Sequence, residues 1–428
     1  MSKVKTGKYT SEAVAGFNHR TAMEEAARCL LCVDAPCSKG CPAGTNPGDF
    51  IRSIRFRNVK GAAETIRSNN IMGATCAKVC PYDKLCEKEC SRTGIDKPIE
   101  IGKLQRYAME QEKAFKMKTL KAPAKKQKQT AACIGAGPAS LACAAELAKA
   151  GYKVTIFEKE AKAGGVCSYG ITASRLPQKT VDQDIAAVKG LGVKFEFGKE
   201  IGKKTTVEDL MTKEGFDAVF IGTGLWQPKK PSIPGAELKN ALSAVDFLKE
   251  ARKKNGVSNV KNKSVVVIGG GDVAIDCAVT AKLSGAEKVA IWYRRTLEEA
   301  PANMDEWHYA LSLGITVTTN MAPDKIEGAK KVEFAKFKGR DKKSEASIKA
   351  DYVVFAIGQV AEDMTKLTGA NLNEKGTIKA NKKGKTNVKG VYAAGDIVNG
   401  GNTVVEAVKE GKDAAAEMIA YLTKKGVK

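Results

Sequence analysis

Histidine is nearly absent from this chain. Of 428 residues only His19 and His308 are histidines, which makes chemistry built on imidazole ligands or an imidazole base improbable. Aromatic residues make up 6%, and no aromatic-basic surface for stacking bases is apparent. The excess of 71 Lys and Arg over 48 Asp and Glu therefore reads as a solvated surface, not a nucleic-acid footprint. No uninterrupted apolar run reaches the roughly 18 residues a membrane helix needs. The start, MSKVKTGKYTSE, lacks the apolar core of a signal peptide. A cytoplasmic protein with no membrane association is expected. The most apolar stretch, residues 131–150, carries Gly135, Gly137, Pro138, Glu146 and Lys149, which suits a buried strand, turn and helix.

What is abundant is cysteine, twelve residues in all, and glycine, 41 residues, many of them clustered. In a reducing compartment twelve thiols point to metal ligation before disulfides. Eight of them lie between residues 29 and 90, while Cys133, Cys143, Cys167 and Cys277 are dispersed. The first group is Cys29-x2-Cys32-x4-Cys37-x3-Cys41-Pro42; the second is Cys76-x3-Cys80-Pro81-x4-Cys86-x3-Cys90. A Cys-Pro ending is typical of ferredoxin-like runs whose last cysteine serves the other cluster. Two iron-sulfur clusters are the sharp reading, and two structural zinc sites of four thiolates each are the alternative. Between the groups, residues 49–69 place Phe50, Ile51, Ile54, Phe56 and Ile66 among charged residues without proline, which predicts a helix. Residues 103–128 read as a helix running into an exposed linker around Pro123.

From about residue 130 the pattern changes to short apolar strands, glycine turns and helices. Strands are expected at 131–134, 154–157, 218–221, 265–268, 289–293 and 352–357, an alternation that implies a parallel sheet. Two glycine fingerprints stand about 130 residues apart. In the first, Gly135-Ala136-Gly137-Pro138-Ala139-Ser140 joins a strand to a helix, where free N–H groups and the helix dipole suit a pyrophosphate. Glu158 ends the next strand, placed to accept hydrogen bonds from ribose hydroxyls. Gly164-Gly165, Thr223-Gly224 and Gly395-Asp396 follow in the order of an FAD site. The second fingerprint, Gly269-Gly270-Gly271-Asp272-Val273-Ala274, has Arg294 and Arg295 at the end of its following strand, where an NAD-selective site usually holds a carboxylate. Guanidinium groups suit a 2′-phosphate, which favours NADPH; the bland reading is a solvated loop.

No Cys-x2-Cys or Cys-x4-Cys pair accompanies the FAD signature, which counts against electron exit through an active-site disulfide. With clusters on the same chain, the expected route is hydride from NAD(P)H to FAD, then single electrons to the clusters and an acceptor. No catalytic acid or nucleophile is required.

These residues carry a resemblance over nearly the whole length, from Ala26-Ala27-Arg28-Cys29 to Gly401-Asn402-Thr403-Val404-Val405-Glu406. The chain resembles the electron-input subunits of bacterial NAD(P)-dependent dihydropyrimidine dehydrogenases, within the glutamate synthase small subunit-like family. The resemblance implies an α/β protein with two Rossmann-like nucleotide-binding domains, disulfide reductase-like and one inserted in the other, preceded by a helical iron-sulfur domain. The boundaries expected are 1–128 for the clusters, 129–226 with 358–428 for FAD, and 227–357 for NAD(P). It further implies two [4Fe-4S] clusters, one on Cys29, Cys32, Cys37 and Cys90, the other on Cys41, Cys80, Cys86 and Gln105. Spacing alone nominates Cys76 in place of Gln105. Arg175 is implied as an FAD pyrophosphate contact, Thr403 and Val404 as backbone contacts to the flavin ring, and Arg294 and Arg295 as 2′-phosphate positions. The further arginine of the family pattern has no clear match. An FMN-bearing catalytic partner subunit in a hetero-oligomer is implied, acting on uracil or thymine. The glutamate synthase small subunit and a zinc-stabilised nucleotide-binding interaction protein are the competing readings.

Overall fold

The computed structural model describes residues 8–362 and 368–426. The chain packs as two compact units. One contains Ala15–Ser168, Gln178–Leu225 and Ala361–Lys428, and the other contains Met1–Val14, Tyr169–Pro177 and Trp226–Val360.

The first of these units begins with short helices. Three of them, His19–Ala27, Pro47–Arg55 and Val59–Asn69, open on Asn18, Asn46 and Asn58, whose side-chain carbonyls accept from the first-turn N–H groups. The single helix expected over residues 49–69 is two. Arg57 adopts φ +60°, and Asn58 then caps the second helix, so the chain turns between them. The break lets Phe50, Ile51 and Ile54 on one helix and Ala62, Ala63 and Ile66 on the next enter the same core as Leu104, Tyr107 and Met109 of helix Ile101–Ala114. Cys29, Cys37, Cys86 and Cys90 lie partly buried against that core.

The same unit contains a five-stranded parallel sheet in the order Val391–Ala393, Ala218–Ile221, Thr130–Ile134, Lys153–Glu158, Lys194–Phe197. Of its three central strands, Thr130–Ile134 and Ala218–Ile221 are almost wholly apolar and buried, as a sheet covered on both faces requires. Helix Pro138–Lys149 packs on it, and the 23-residue helix Val404–Gly426 packs on that helix. The strand Val391–Ala393 thus completes a sheet begun near residue 130, as the recurring signature at Gly395 suggested.

The other unit has its own five-stranded parallel sheet, in the order Ala241–Ser243, Tyr352–Phe355, Ser264–Ile268, Lys288–Trp292, Thr316–Thr318. Helix Asp272–Leu283 covers one face through Ile275 and Val279. The opposite face holds Val266, Ile268 and Trp292 against an antiparallel sheet of Met321–Glu327, Phe334–Gly339 and Glu345–Lys349. Sequence reasoning missed this second sheet, whose strands alternate exposed, largely charged or polar positions with more buried apolar ones such as Ala335, Phe337, Ala346 and Ile348. Stacking of Trp292 on Phe337, 4.0 Å between ring centres, joins the two sheets. The chain enters and leaves this unit on adjacent strands: Gln227–Pro228 pairs antiparallel with Gln359–Val360. Among the described residues no helix is long and apolar enough to cross a membrane.

Candidate cofactor sites

At the first glycine turn, Gly135 has φ +86°, and a Cβ there would sit 2.8 Å from the carbonyl oxygen of Gly222, so only glycine brings the two loops this close. Gly137, by contrast, faces open space, its nearest neighbour being 3.8 Å from an added Cβ. Pro138 occupies the first turn of helix Pro138–Lys149, followed by buried Ala139 and Ser140, and the helix has no side-chain cap. An uncapped N-terminus beside an open glycine backbone is the cradle a pyrophosphate needs. Glu158, 7% exposed at the end of its strand, accepts from the Ala136 and Glu160 N–H groups at 2.7 and 2.8 Å. Burial raises its carboxyl above the usual range, against those two hydrogen bonds. Gly164 closes the other side through its N–H to the Ala136 carbonyl, with Gly165 beside it. Thr223 and Gly224 follow the strand Ala218–Ile221. At the C-terminal end, Gly395 donates to Glu410 at 2.7 Å, and Asp396 opens helix Asp396–Asn399 with its carboxyl raised by burial. Thr403 Oγ1 accepts from Glu406 N–H just before Val404 begins the last helix. Glu410 was not nominated from the sequence; as one carboxylate among the many polar residues of a long helix it carries no signal.

The second turn repeats the logic in the other unit. Gly269 has φ +152°, and a Cβ there would collide with the Ala356 carbonyl, whereas Gly271 has nothing nearer than Pro301 at 3.6 Å. Helix Asp272–Leu283 also lacks a side-chain cap. Asp272 accepts from Asn303 N–H at 3.0 Å, Val273 is exposed and Ala274 is buried. Arg294 and Arg295 are exposed immediately after the strand Lys288–Trp292. Arg175 lies in this unit, with its Nε 2.8 Å from Glu306 and its Nη1 3.8 Å from Asp276.

The eight clustered thiols gather in two groups. Burial, then the charges of Cys90, Cys29 and Cys32, push Cys37 up to about 11, and burial with Cys90 and Cys32 also raises Cys29. Cys80 lies among Cys76, Cys86 and Cys41, and is held well above its ordinary value first by a hydrogen bond with Cys76 and then by burial. Thiols crowded in this way resist ionisation unless a cation joins them, and cationic iron would reverse that penalty. Among the described residues no group of three or more His, Cys, Asp or Glu closes on a single-ion site. Cys76 is 2% exposed. Gln105 is buried and donates to the Gly73 carbonyl at 2.7 Å, at the start of the helix that carries Cys76. Ile99 N–H reaches Cys90 Sγ at 3.5 Å.

Two uncapped glycine turns on parallel sheets, with a thiol-rich helical layer in the same chain, define a class: a dinucleotide-dependent flavoprotein oxidoreductase with attached iron-sulfur chemistry. Residues 130–411 match the family described as pyridine nucleotide-disulphide oxidoreductase, and residues 6–117 match dihydropyrimidine dehydrogenase domain II, 4Fe-4S cluster. The chain is 43% identical to the NAD-dependent dihydropyrimidine dehydrogenase subunit PreT of Escherichia coli O157:H7, over 97% of each chain. It is 30% identical to the glutamate synthase [NADPH] small chain of Azospirillum brasilense, over 96% of this chain and 91% of that one. Thioredoxin reductase of T. acidophilum superposes with a TM-score of 0.55 at 23% identity, covering 68% of this chain and 99% of that one. FprA from Mycobacterium tuberculosis gives 0.60 at 19%, over 70% and 86%; both likenesses establish the fold. The chain belongs to the pyridine nucleotide-disulphide oxidoreductase family, in the group that includes the dihydropyrimidine dehydrogenase subunits. Its cofactors are FAD, NAD(P)H and [4Fe-4S] clusters.

Proposed function

We propose that this chain is the NAD(P)H-oxidising subunit of a dihydropyrimidine dehydrogenase. It passes electrons through FAD and two [4Fe-4S] clusters to a partner subunit, which carries FMN and interconverts uracil or thymine and the 5,6-dihydro forms. The observation that supports it most is the 43% identity across 97% of both chains to a subunit of that name, with both thiol groups present. Four such relatives are named NAD-dependent, so NADH is the expected donor, and Arg294 and Arg295 remain solvated.

In this reading residues 1–128 hold the clusters, 129–226 and 358–428 hold FAD, and 227–357 hold NAD(P)H. The flavin supplies the step from a hydride to single electrons. The chain's own residues bind and orient. The N–H groups of Gly137, Ala139 and Ser140, with Pro138 setting the first turn and Asp396 opposite, hold the pyrophosphate, Glu158 holds the ribose, and Gly164, Gly165, Thr223 and Gly224 line the cradle. The Thr403–Val404 backbone faces the ring. Gly269, Gly271, Asp272, Val273 and Ala274 do the same for the nicotinamide dinucleotide. Cys29, Cys32, Cys37 and Cys90 hold one cluster; Cys41, Cys80, Cys86 and Gln105 hold the other.

The test is anaerobic oxidation of NADH and NADPH by the native complex, with uracil or thymine in one series and glutamine plus 2-oxoglutarate in the other. Pyrimidine-dependent turnover with NADH is expected. Turnover with glutamine and 2-oxoglutarate alone overturns the partner and leaves the cofactors. Two zinc ions with no iron or acid-labile sulfide would overturn the cluster assignment as well.

A further inference from the structure

The long helix Val404–Gly426 reaches from the flavin-type sheet to the cysteine-bearing loops of the same compact unit. Gly411 presses on the first turn of helix Pro138–Lys149 so closely that a Cβ would collide with the Ala139 carbonyl. One residue on, the Lys412 ammonium is half-buried and donates to two backbone carbonyls of the thiol-bearing half, Ala43 at 2.5 Å and Asn69 at 2.6 Å. Ala43 lies two residues beyond Cys41, and the charges felt at Lys412 are Glu146, Lys149, Cys41 and Asp413. No salt bridge is formed by Lys412 among the described residues; its ammonium donates to the two carbonyls.

We propose that Lys412 is a positioning residue that fixes the flavin-binding helix to the Cys41 loop and raises the potential of the cluster held by Cys41, Cys80 and Cys86. The inference rests on the cluster assignment above. Reduction adds one negative charge to that cluster and moves no proton and no bond. A cation held nearby at reduced dielectric favours the reduced state, and hydrogen bonds and net charge around a cluster are what set its potential. The placement also suits the route: the same helix begins at Val404, and the eight residues from there to Lys412, at 1.5 Å each, span about 12 Å.

The experiment is an anaerobic redox titration of the full-length, cofactor-loaded protein, followed by EPR, for wild type, Lys412→Met and Lys412→Arg. For Lys412→Met we expect one cluster, and only one, to become about tenfold harder to reduce, which is a shift of about 59 mV for one electron. Iron content should be unchanged, and Lys412→Arg should restore the wild-type value. Equal potentials in all three proteins overturn the proposal while leaving the clusters in place. A shift of both clusters together, or loss of iron in Lys412→Met, makes Lys412 a structural support and also overturns it. Absence of any [4Fe-4S] signal in the wild type would instead sink the cluster assignment.

Discussion

Arg67 and Asp184 form a fully buried ion pair, 2.5 Å apart, between the thiol-bearing helices and the flavin-type sheet. Arg67 lies in the last turn of the helix before the second cysteine group and also grips Glu112 in a bidentate fork at 2.7 to 3.1 Å. Asp184, on helix Gln178–Gly190, gives its other lone pairs to the N–H groups of Ala74 and Thr75 at 3.2 and 2.8 Å. Helix Gly73–Val79 has no cap of its own, so a carboxylate over a hundred residues away supplies it. The C-terminal cap of that helix is Cys80. A charge anchored in the flavin-type half therefore fixes where a candidate cluster ligand starts.

Removing one partner of such a pair leaves an uncompensated buried charge, which costs about 3–5 kcal/mol. Asp184→Asn should lower the stability of the full chain by that order, because the Arg67 guanidinium loses one of its two anions. It should also release iron from one cluster before the other on incubation with a chelator. Denaturant midpoints and iron release followed by absorbance check both parts. Loss of stability with both clusters leaving together would mean that Asp184 supports the whole unit and has no special bearing on Cys80.

Much of this architecture could be read from the chain alone. Short apolar strands followed by glycine turns marked both parallel sheets, since a strand buried on both faces must be continuously apolar and a pyrophosphate turn must be glycine-rich. The antiparallel sheet at Met321–Glu327, Phe334–Gly339 and Glu345–Lys349 was not legible. Its strands, rich in lysine on their exposed positions, resemble solvated loop, and only their packing on Trp292 fixes them. The helix expected over residues 49–69 splits because Asn58 caps a second helix, a local competition that apolar periodicity does not register. Arg67, Asp184, Glu410 and Lys412 were invisible for a different reason. Each is one charged residue on a helix that bears several, and only the partner it meets far along the chain distinguishes it.

The nucleotide unit holds a group whose titration should govern stability. Asp276, buried on helix Asp272–Leu283, is pushed up to about 7, first by burial; Arg175 opposes the shift, while Glu306 and Asp272 add to it. Its ordinary value is 3.8. Between about pH 4 and 7 the folded protein keeps a proton that the unfolded chain has lost, so stability falls as pH rises through that window and levels off above it. At about 1.36 kcal/mol per pH unit the penalty at pH 8 is on the order of 4 kcal/mol. Asp276→Asn is neutral throughout, so its stability relative to wild type should climb steadily from pH 4 to 7. Urea midpoints of both proteins across this range give the difference directly. Parallel curves would show that Asp276 stays ionised against Arg175 in the folded state.

The competition between Cys76 and Gln105 for the last cluster position can be decided by substitution, because the two residues are held differently. Cys76 is buried inside a helical turn, and its thiol engages Cys80. Gln105 approaches from helix Ile101–Ala114 and spends its amide N–H on the Gly73 carbonyl. A bound carboxamide would ligate through its oxygen, the atom that this hydrogen bond leaves available. Cys76→Ser keeps size and hydrogen-bonding capacity, so if Gln105 is the ligand that variant should retain about eight iron atoms per chain, the content of two four-iron clusters. Gln105→Leu should then fall to about four, with one EPR signal lost and the other unchanged. The reverse pattern would assign the position to Cys76, as spacing alone suggests. Cys32→Ser serves as the reference for losing a single thiolate from the other group, and its lost signal should be the one that Gln105→Leu keeps.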